Sequence, residues 1–546
     1  MLRAVRSAAG DALGTADLRR LQTAWATSAV GSWVFFVALA VYAYDAGGAT
    51  AVGAAAFVRM VPAGLAAPLA GVLVDRHSRR DVLAWSLVAR ALILGALFAG
   101  VAMDAPIALV LVAAALFTIA GTAHKPAQAS LLPTLAETPT QLAASNAIWS
   151  AVDNGGFLFG SLAGGVLIAT GGVDVAFAAT AALFVLALVP VLRIQRDPVP
   201  DYRADRAAEH PLREASQGFR EVIADDGLRL VVGVLTVATL AEGMVDVLVV
   251  VVALDLIGLA DAGVGWLNAA WGAGGMLGGV AALALLGRGR LAAGLAGGAL
   301  LVGLPLIGIA AVDAAVLAGA LLVALGVGYA LIETAGLSLL QRLSSDDVLG
   351  RAFAVVESSY WITTGVGALI APALVSLLGV RGALVAVGAG LVLAVAARWA
   401  ALGRLEVATP VPEGPFRALR SVPAFAPLSL ATVENLARRV SEVEIEAGVV
   451  LMREGDHGDC VYVVAEGGAV VDCGGRRLAE RGPGDFVGEI ALLRDVPRTA
   501  TVTASMPSRL YALDRDSFQF VVSAHPRSRA SVHATADSRL AAVPST

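Results

Sequence analysis

From Arg193 to Arg229 the chain reads RIQRDPVPDYRADRAAEHPLREASQGFREVIADDGLR. No other stretch before Arg404 is as long and as polar. On either side the sequence is built from apolar runs broken only by short charged turns. Of the 546 residues 58% are hydrophobic and only 15% are charged, and the mean hydropathy is +0.77. A soluble chain carries about 25% charged residues. The deficit is uneven, because charges are sparse before Arg404 and ordinary after it. A large membrane part and a smaller aqueous part are therefore expected.

A spanning helix needs roughly 20 apolar residues. About twelve runs meet that requirement, centred near Phe36, Ala63, Ile93, Ala113, Gly156, Phe184, Ala241, Gly275, Val302, Leu322, Val366 and Leu391. The stretch 193–229 divides them into two sets of about six, a transporter layout. Basic residues gather in alternate turns: Arg19 and Arg20, then Arg76, Arg79 and Arg80, then Lys125, then 193–229, then Arg288 and Arg290, Arg342 and Arg351, Arg398 and Arg404. The intervening turns carry Asp45, Asp104, Asp174, Asp261 and Asp313, with Arg381 as the exception. By the positive-inside rule both termini are expected in the cytosol, in a multi-pass protein of the cell membrane.

The start, MLRAVRSAAGDALGTADLRRLQ, does not read as a signal peptide. The net charge of −5 gives no reason to expect nucleic acid as a partner. Both cysteines, Cys460 and Cys473, fall in the aqueous part without metal-ligand spacing, so a reduced compartment and no metal site are expected. No nucleotide-hydrolysis loop is present. No enzyme activity and no cofactor are expected, and transport would draw on an ion gradient, protons first. Charges inside spans are functional candidates. They are Arg59, Arg90, Asp153, Glu242, Asp246, Glu333 and Glu357. Glu242 and Asp246, four residues apart, share one helix face and suit proton coupling.

The run GVLVDRHSRR, Gly71 to Arg80, resembles the G-x-x-x-D-R-x-x-R-R loop of the major facilitator superfamily. The resemblance implies a gate at the cytosolic face made by Gly71, Asp75, Arg76, Arg79 and Arg80. The second copy, GGVAALALLGRGR, keeps Gly279, Arg288 and Arg290 but lacks the acid. GFLFGSLAGG resembles the fifth-helix motif of superfamily antiporters through Gly156, Gly160, Gly164 and Gly165, with Ser161 in place of proline. Small residues at this spacing are also a packing seam. With VRMVPAGLAAPLAGVLVDR and KPAQASLLPTLAETPTQLAASNA, the pattern looks like the drug and siderophore exporter branch over residues 15–405. That implies an all-α membrane bundle of 12 helices, six and six.

After Arg404 comes a proline-rich run with Pro410, Pro412 and Pro415, read as a linker over 406–422. LSLATVENLARRV has helical spacing, and short alternating segments split by glycines then suggest a β-roll. EGD at Glu454 to Asp456, GPGDFVGEIALL and PRTATVTA resemble the cyclic nucleotide-binding domain, as in protein kinase A regulatory subunits and catabolite activator proteins. The resemblance covers 423–525. It implies a tight turn at Gly488, a short helix from Glu489 through Ile490, a ribose contact from Glu489, a backbone N–H from Ala491, Arg498 on the cyclic phosphate and Thr499 on phosphate or base. Cyclic AMP is the first expected ligand and cyclic GMP the second. The expected domains are a transporter at 1–405, the linker at 406–422, the nucleotide domain at 423–528 and a flexible tail at 529–546. The expected function is proton-coupled export of small hydrophobic or amphipathic compounds, regulated by a cyclic nucleotide. The rivals are a tethered receptor without transport and an importer gated by the same domain.

Overall fold

The computed structural model describes residues 15–135, 139–195, 219–286, 291–344, 346–408, 412–426, 428, 430–524 and 526–541. Most of the stretch 193–229, together with Arg288 and Arg290, lies outside them. Two compact units emerge, residues 1–408 and 409–546.

Among its described residues the first unit has helices and turns and no strands, as suits a chain in hydrocarbon whose backbone must satisfy itself. Its helices are α1 (Ala16–Arg76), α2 (Arg79–Ala102), α3 (Ile107–Gly121), α4 (His124–Leu135), α5 (Pro139–Leu192), α6 (Asp226–Val251), α7 (Ala262–Leu286), α8 (Leu291–Ile309), α9 (Ala315–Leu343), α10 (Asp346–Ala396) and α11 (Trp399–Ala408). A π turn, Val252–Leu256, follows α6. Among the described residues eight helical runs are long and apolar enough to cross a membrane. Three of the helices are interrupted. Gly48 at φ +59°, Gly172 at φ +82° and Gly379 at φ +70° break α1, α5 and α10. Side chains with a Cβ disfavour that backbone.

Close approach is set by small residues. A Cβ on Gly156 would lie 2.8 Å from the Cβ of Ala29, one on Gly160 2.7 Å from Val30 O, and one on Gly164 3.2 Å from the Cβ of Val37. A Cβ on Gly165 would meet Ala262 O at 2.9 Å. The four glycines thus seam α5 against α1 and against the start of α7. The Lys125 assignment needs correction. The residue does not sit in a cytosolic turn but inside α4, because Pro126 falls in the first turn of that helix, where its missing N–H costs nothing.

The second unit has its own core. Among the described residues eight strands form two antiparallel sheets. One has the order β1 (Ser441–Ile445), β8 (Ser508–Asp514), β3 (Cys460–Glu466), β6 (Phe486–Val487). The other has the order β2 (Val450–Met452), β7 (Thr501–Ala504), β4 (Ala469–Cys473), β5 (Arg476–Arg481). Alternation along β3 buries Val461 and Val463 together with Leu513, Phe486 and Phe518. Two expectations fail here. The linker assigned to 406–422 is partly folded: α12 (Glu413–Ser421) buries Ala418 and Leu419 in this core, to which α13 (Leu430–Arg439) adds Val433 and Leu436. The tail assigned as flexible from 529 is mostly a helix, α16 (Pro526–Leu540), which follows α15 (Arg515–Ala524) and buries Val532 and Ala536 completely.

The seam predicts an asymmetry. Overpacking typically costs about 1–3 kcal/mol. Gly160→Val should therefore lower the thermal midpoint of the purified chain by several degrees. Gly279→Ala, where a Cβ meets nothing within 4 Å, should leave the midpoint unchanged. Equal midpoints for wild type and Gly160→Val would refute the seam.

Candidate functional site

In the second unit, β6 ends at Val487, and Gly488, with a φ of +91°, turns the chain into α14 (Glu489–Arg494). Glu489 is 2% exposed, and Ile490 and Ala491 are buried beside it. The segment returns through Arg498, which is fixed at both ends of its peptide. Its N–H donates to Asp456 O at 2.8 Å and its carbonyl accepts from Gly455 at 2.8 Å. The EGD turn is thereby tied to the arginine. The Arg498 side chain is 5% exposed. It donates from Nη1 to Gly488 O and from Nη2 to Cys460 O, both at 2.8 Å. Two of its five donors are used in this way.

A cavity of about 250 Å³ opens on these residues, near the lower end of the range for small-molecule sites, about 300 Å³. Gly488, Glu489, Ile490, Ala491, Arg498 and Thr499 all line it. The opposite wall brings Leu478 and Arg481 from β5, and Ser538 and Arg539 from α16. Burial first, and the neighbouring Arg539 second, hold the Arg481 guanidinium below its ordinary value. Arg539 was not anticipated. It donates to Glu489 Oε1 at 2.8 Å and to Phe486 O at 2.6 Å, with its guanidinium 4.9 Å from the centre of the Phe486 ring. The available signal was Val532 and Ala536, an i, i+4 apolar pair one turn before Arg539.

In the membrane unit the charged candidates other than Arg90 fall into two groups. Arg59 is 8% exposed, with its guanidinium 4.0 Å from the centre of the Phe36 ring. It lies within electrostatic reach of Asp246, and Asp246 of Glu242. Tyr360 donates to Glu242 Oε1 at 3.4 Å. The other group centres on Lys125, 3.4 Å from Asp153 and within reach of Glu333 and Glu357. The Lys125 side chain is 60% exposed and that of Asp153 37%. Each group draws on helices from before and after the charged stretch 193–229. Tyr360 and the pathway position of Lys125 were not read from the sequence.

At the gate loop the surroundings of Gly71 and the side chain of Asp75 lie outside what the structure describes. Arg76 ends α1 and is exposed. Arg80 is half-buried and donates to Ile194 O at 3.2 Å.

The family model described as Major Facilitator Superfamily matches residues 24–347. The chain belongs to the major facilitator superfamily. A second family model, Cyclic nucleotide-binding domain, matches residues 442–525, so this superfamily member is a multi-pass membrane protein with a nucleotide-domain fold appended. The cAMP-dependent protein kinase regulatory subunit of Yarrowia lipolytica is 37% identical over 103 residues, 18% of this chain and 28% of that one. A cyclic nucleotide-gated potassium channel of Mesorhizobium japonicum is 36% identical over 106 residues, 19% of this chain and 29% of that one. The chain thus spans under a third of the length of these curated relatives. A bacterial homolog of the human lysosomal transporter Spinster, solved inward-facing and unoccupied, superposes with a TM-score of 0.57. It covers 72% of this chain and 98% of that one at 15% identity, a likeness of fold alone. Both resemblances read from the motifs hold at the level of domain family.

The Glu489–Arg539 pair gives a stability prediction. Removing one partner of a buried pair costs about 3–5 kcal/mol. Arg539→Ala should lower the calorimetric transition of the second unit, and adding Glu489→Gln should restore part of the loss. An unchanged transition in the single variant would show that the pair contributes nothing.

Proposed function

We propose that the chain is a secondary transporter whose activity is set by a cyclic nucleotide bound in the second unit. The observation that carries this reading is the pair of charge groups, Arg59 with Glu242 and Asp246, and Lys125 with Asp153 and Glu333. Burying ionisable groups in a membrane protein is costly, and such groups mark ion and substrate paths. Each group joins the two halves of the bundle, so rocking one half against the other changes the pairing. The proposed arrangement is twelve spans, reached by counting α7 and both parts of α1, α5 and α10 on either side of Gly48, Gly172 and Gly379, with both termini proposed to be cytosolic. The proposed coupling ion is the proton, taken up by Glu242 and Asp246, and the proposed direction is export of small amphipathic compounds, as in the drug and siderophore exporter branch. The loop from Gly71 to Arg80, with Asp75, is the proposed cytosolic latch.

In the nucleotide pocket Arg498 is the proposed phosphate ligand. Its fork suits an oxyanion, and a cyclic phosphate would compete with the carbonyls of Gly488 and Cys460 for it. Glu489 is the proposed ribose acceptor and Thr499 the proposed contact to phosphate or base. Cyclic AMP is the first ligand to test and cyclic GMP the second. The ligand moves the transporter only by binding two tail states unequally.

Truncating one partner of a desolvated charge pair costs about 2–5 kcal/mol, roughly 30-fold or more in affinity. Arg498→Ala should therefore abolish calorimetric binding of cyclic AMP by the purified chain. Basal flux in proteoliposomes should persist, while its response to nucleotide disappears. If the wild-type chain takes up neither nucleotide at millimolar concentration, the sensor reading fails.

A separate outcome concerns coupling. Glu242→Gln and Asp246→Asn should each uncouple flux from an imposed pH gradient without preventing insertion. Gradient-dependent flux in both variants would make the pair structural.

A further inference from the structure

Arg90 stands midway along α2 and is 7% exposed. Its guanidinium lies between the rings of Phe117 and Phe184, 4.2 Å from each centre. Nη2 donates to Ser32 Oγ at 2.8 Å, and Nε has no acceptor among the described residues. Unlike Arg59 and Lys125, it has no carboxylate within electrostatic reach among the described residues. The guanidinium lies beside Gly121, where a Cβ would sit 3.4 Å from Arg90 Cζ, in ordinary contact.

One turn further along the same side of the bundle, α4 carries His124 and Gln128, 3% and 1% exposed. His124 lies within electrostatic reach of Arg90. Trp25 of α1 stacks on His124 with ring centres 5.3 Å apart, and Trp149 of α5 meets Trp25 edge-on at 5.9 Å. The His124 Nδ1, both amide atoms of Gln128 and the indole N–H groups of Trp25 and Trp149 are buried without a partner among the described residues. Folded proteins seldom leave so many buried polar groups unpaired in one place. Ring faces attract a cation but do not neutralise it. A buried cation beside orphaned donors and flat aromatic surfaces lacks one thing, an anion with an apolar body. Lys125, adjacent to His124, keeps a side chain that is 60% exposed.

We propose that this cluster is the binding site for the transported compound, an organic oxyanion on a flat apolar body. Arg90 takes the oxyanion, the indole N–H groups and Gln128 donate to it, and the rings of Trp25, His124 and Trp149 hold the body. The atoms involved are closed to solvent, so the compound enters as α1 and α4 part. The proposal rests on the transporter reading and supplies its substrate class. The head group is a carboxylate or a phosphate, and both share the chemistry that Arg90 recognises.

The test uses one body with three heads: tritiated indole-3-acetate, indoxyl phosphate and tryptamine, bound to the purified full chain in nanodiscs. Saturable binding is expected for at least one anion and not for the cationic amine, and the better anion identifies the head group. Arg90→Gln should weaken the anion by about 30-fold or more, while its thermal midpoint equals or exceeds that of wild type because an uncompensated charge has been removed. A purely structural arginine would lower the midpoint and leave binding alone. If Arg90→Gln is not recovered folded, Gln128→Leu replaces it, with a loss of about tenfold expected from the missing amide. Equal binding of tryptamine, no saturable binding of either anion to wild type, or variants that bind as wild type would overturn the site. A chain that binds the anion but moves nothing across a bilayer counts against the transporter reading alone. A chain that transports other compounds without holding either anion counts against this site alone.

Discussion

Backbone-to-backbone approach governs the membrane unit. Lipid tails are as apolar as leucine, so burial of apolar side chains gives helices no reason to prefer one another over lipid. Contact must come from shape. A Cβ on Gly243 would lie 1.9 Å from Thr364 O, and one on Gly367 2.0 Å from Leu240 O, so α6 and α10 touch through main chain at two points. Gly53 stands in the same relation to Ala368 O, at 2.5 Å, which brings the second part of α1 onto α10. These contacts hold helices from before and after the central charged stretch against each other. They also fix the depth at which the charged side chains of α1, α6 and α10 meet.

Those charges have little freedom once the seams are set. Arg59 and Asp246 approach because Gly64 and Gly243 let their helices pack on α10, which carries Tyr360 next to Trp361. In the membrane unit, position is therefore set by the close approach of backbones. In the second unit the logic is reversed. There Arg498 is held by two carbonyls and by both sides of its peptide group, and precision comes from a fixed roll.

What the sequence made legible follows from contrast. The charged stretch 193–229 and the alternation of arginines stand out against apolar surroundings, as do Gly488, Glu489 and Arg498 within their motifs, and all six assigned pocket residues line one cavity. Three features had no such contrast. Lys125 looked like part of a turn because polar residues and a proline adjoin it. The helix α16 has few apolar positions, and neither the buried Val532 nor Arg539 announces its partner on α14. Helix facing in the membrane was hidden because lipid and core accept the same side chains. The isolation of Arg90 and the orphaned polar atoms around His124 therefore emerged only with coordinates.

The division into two units has an optical consequence. All eight tryptophans, Trp25, Trp33, Trp85, Trp149, Trp266, Trp271, Trp361 and Trp399, lie before residue 409, and both cysteines lie after it. Indole emission therefore reports on the membrane unit alone, and thiol-attached dyes report on the nucleotide domain alone. The chain carries separate intrinsic reporters for its two halves without any substitution. A change in indole emission on adding a ligand confined to the nucleotide pocket would be a signal that has crossed from one unit to the other.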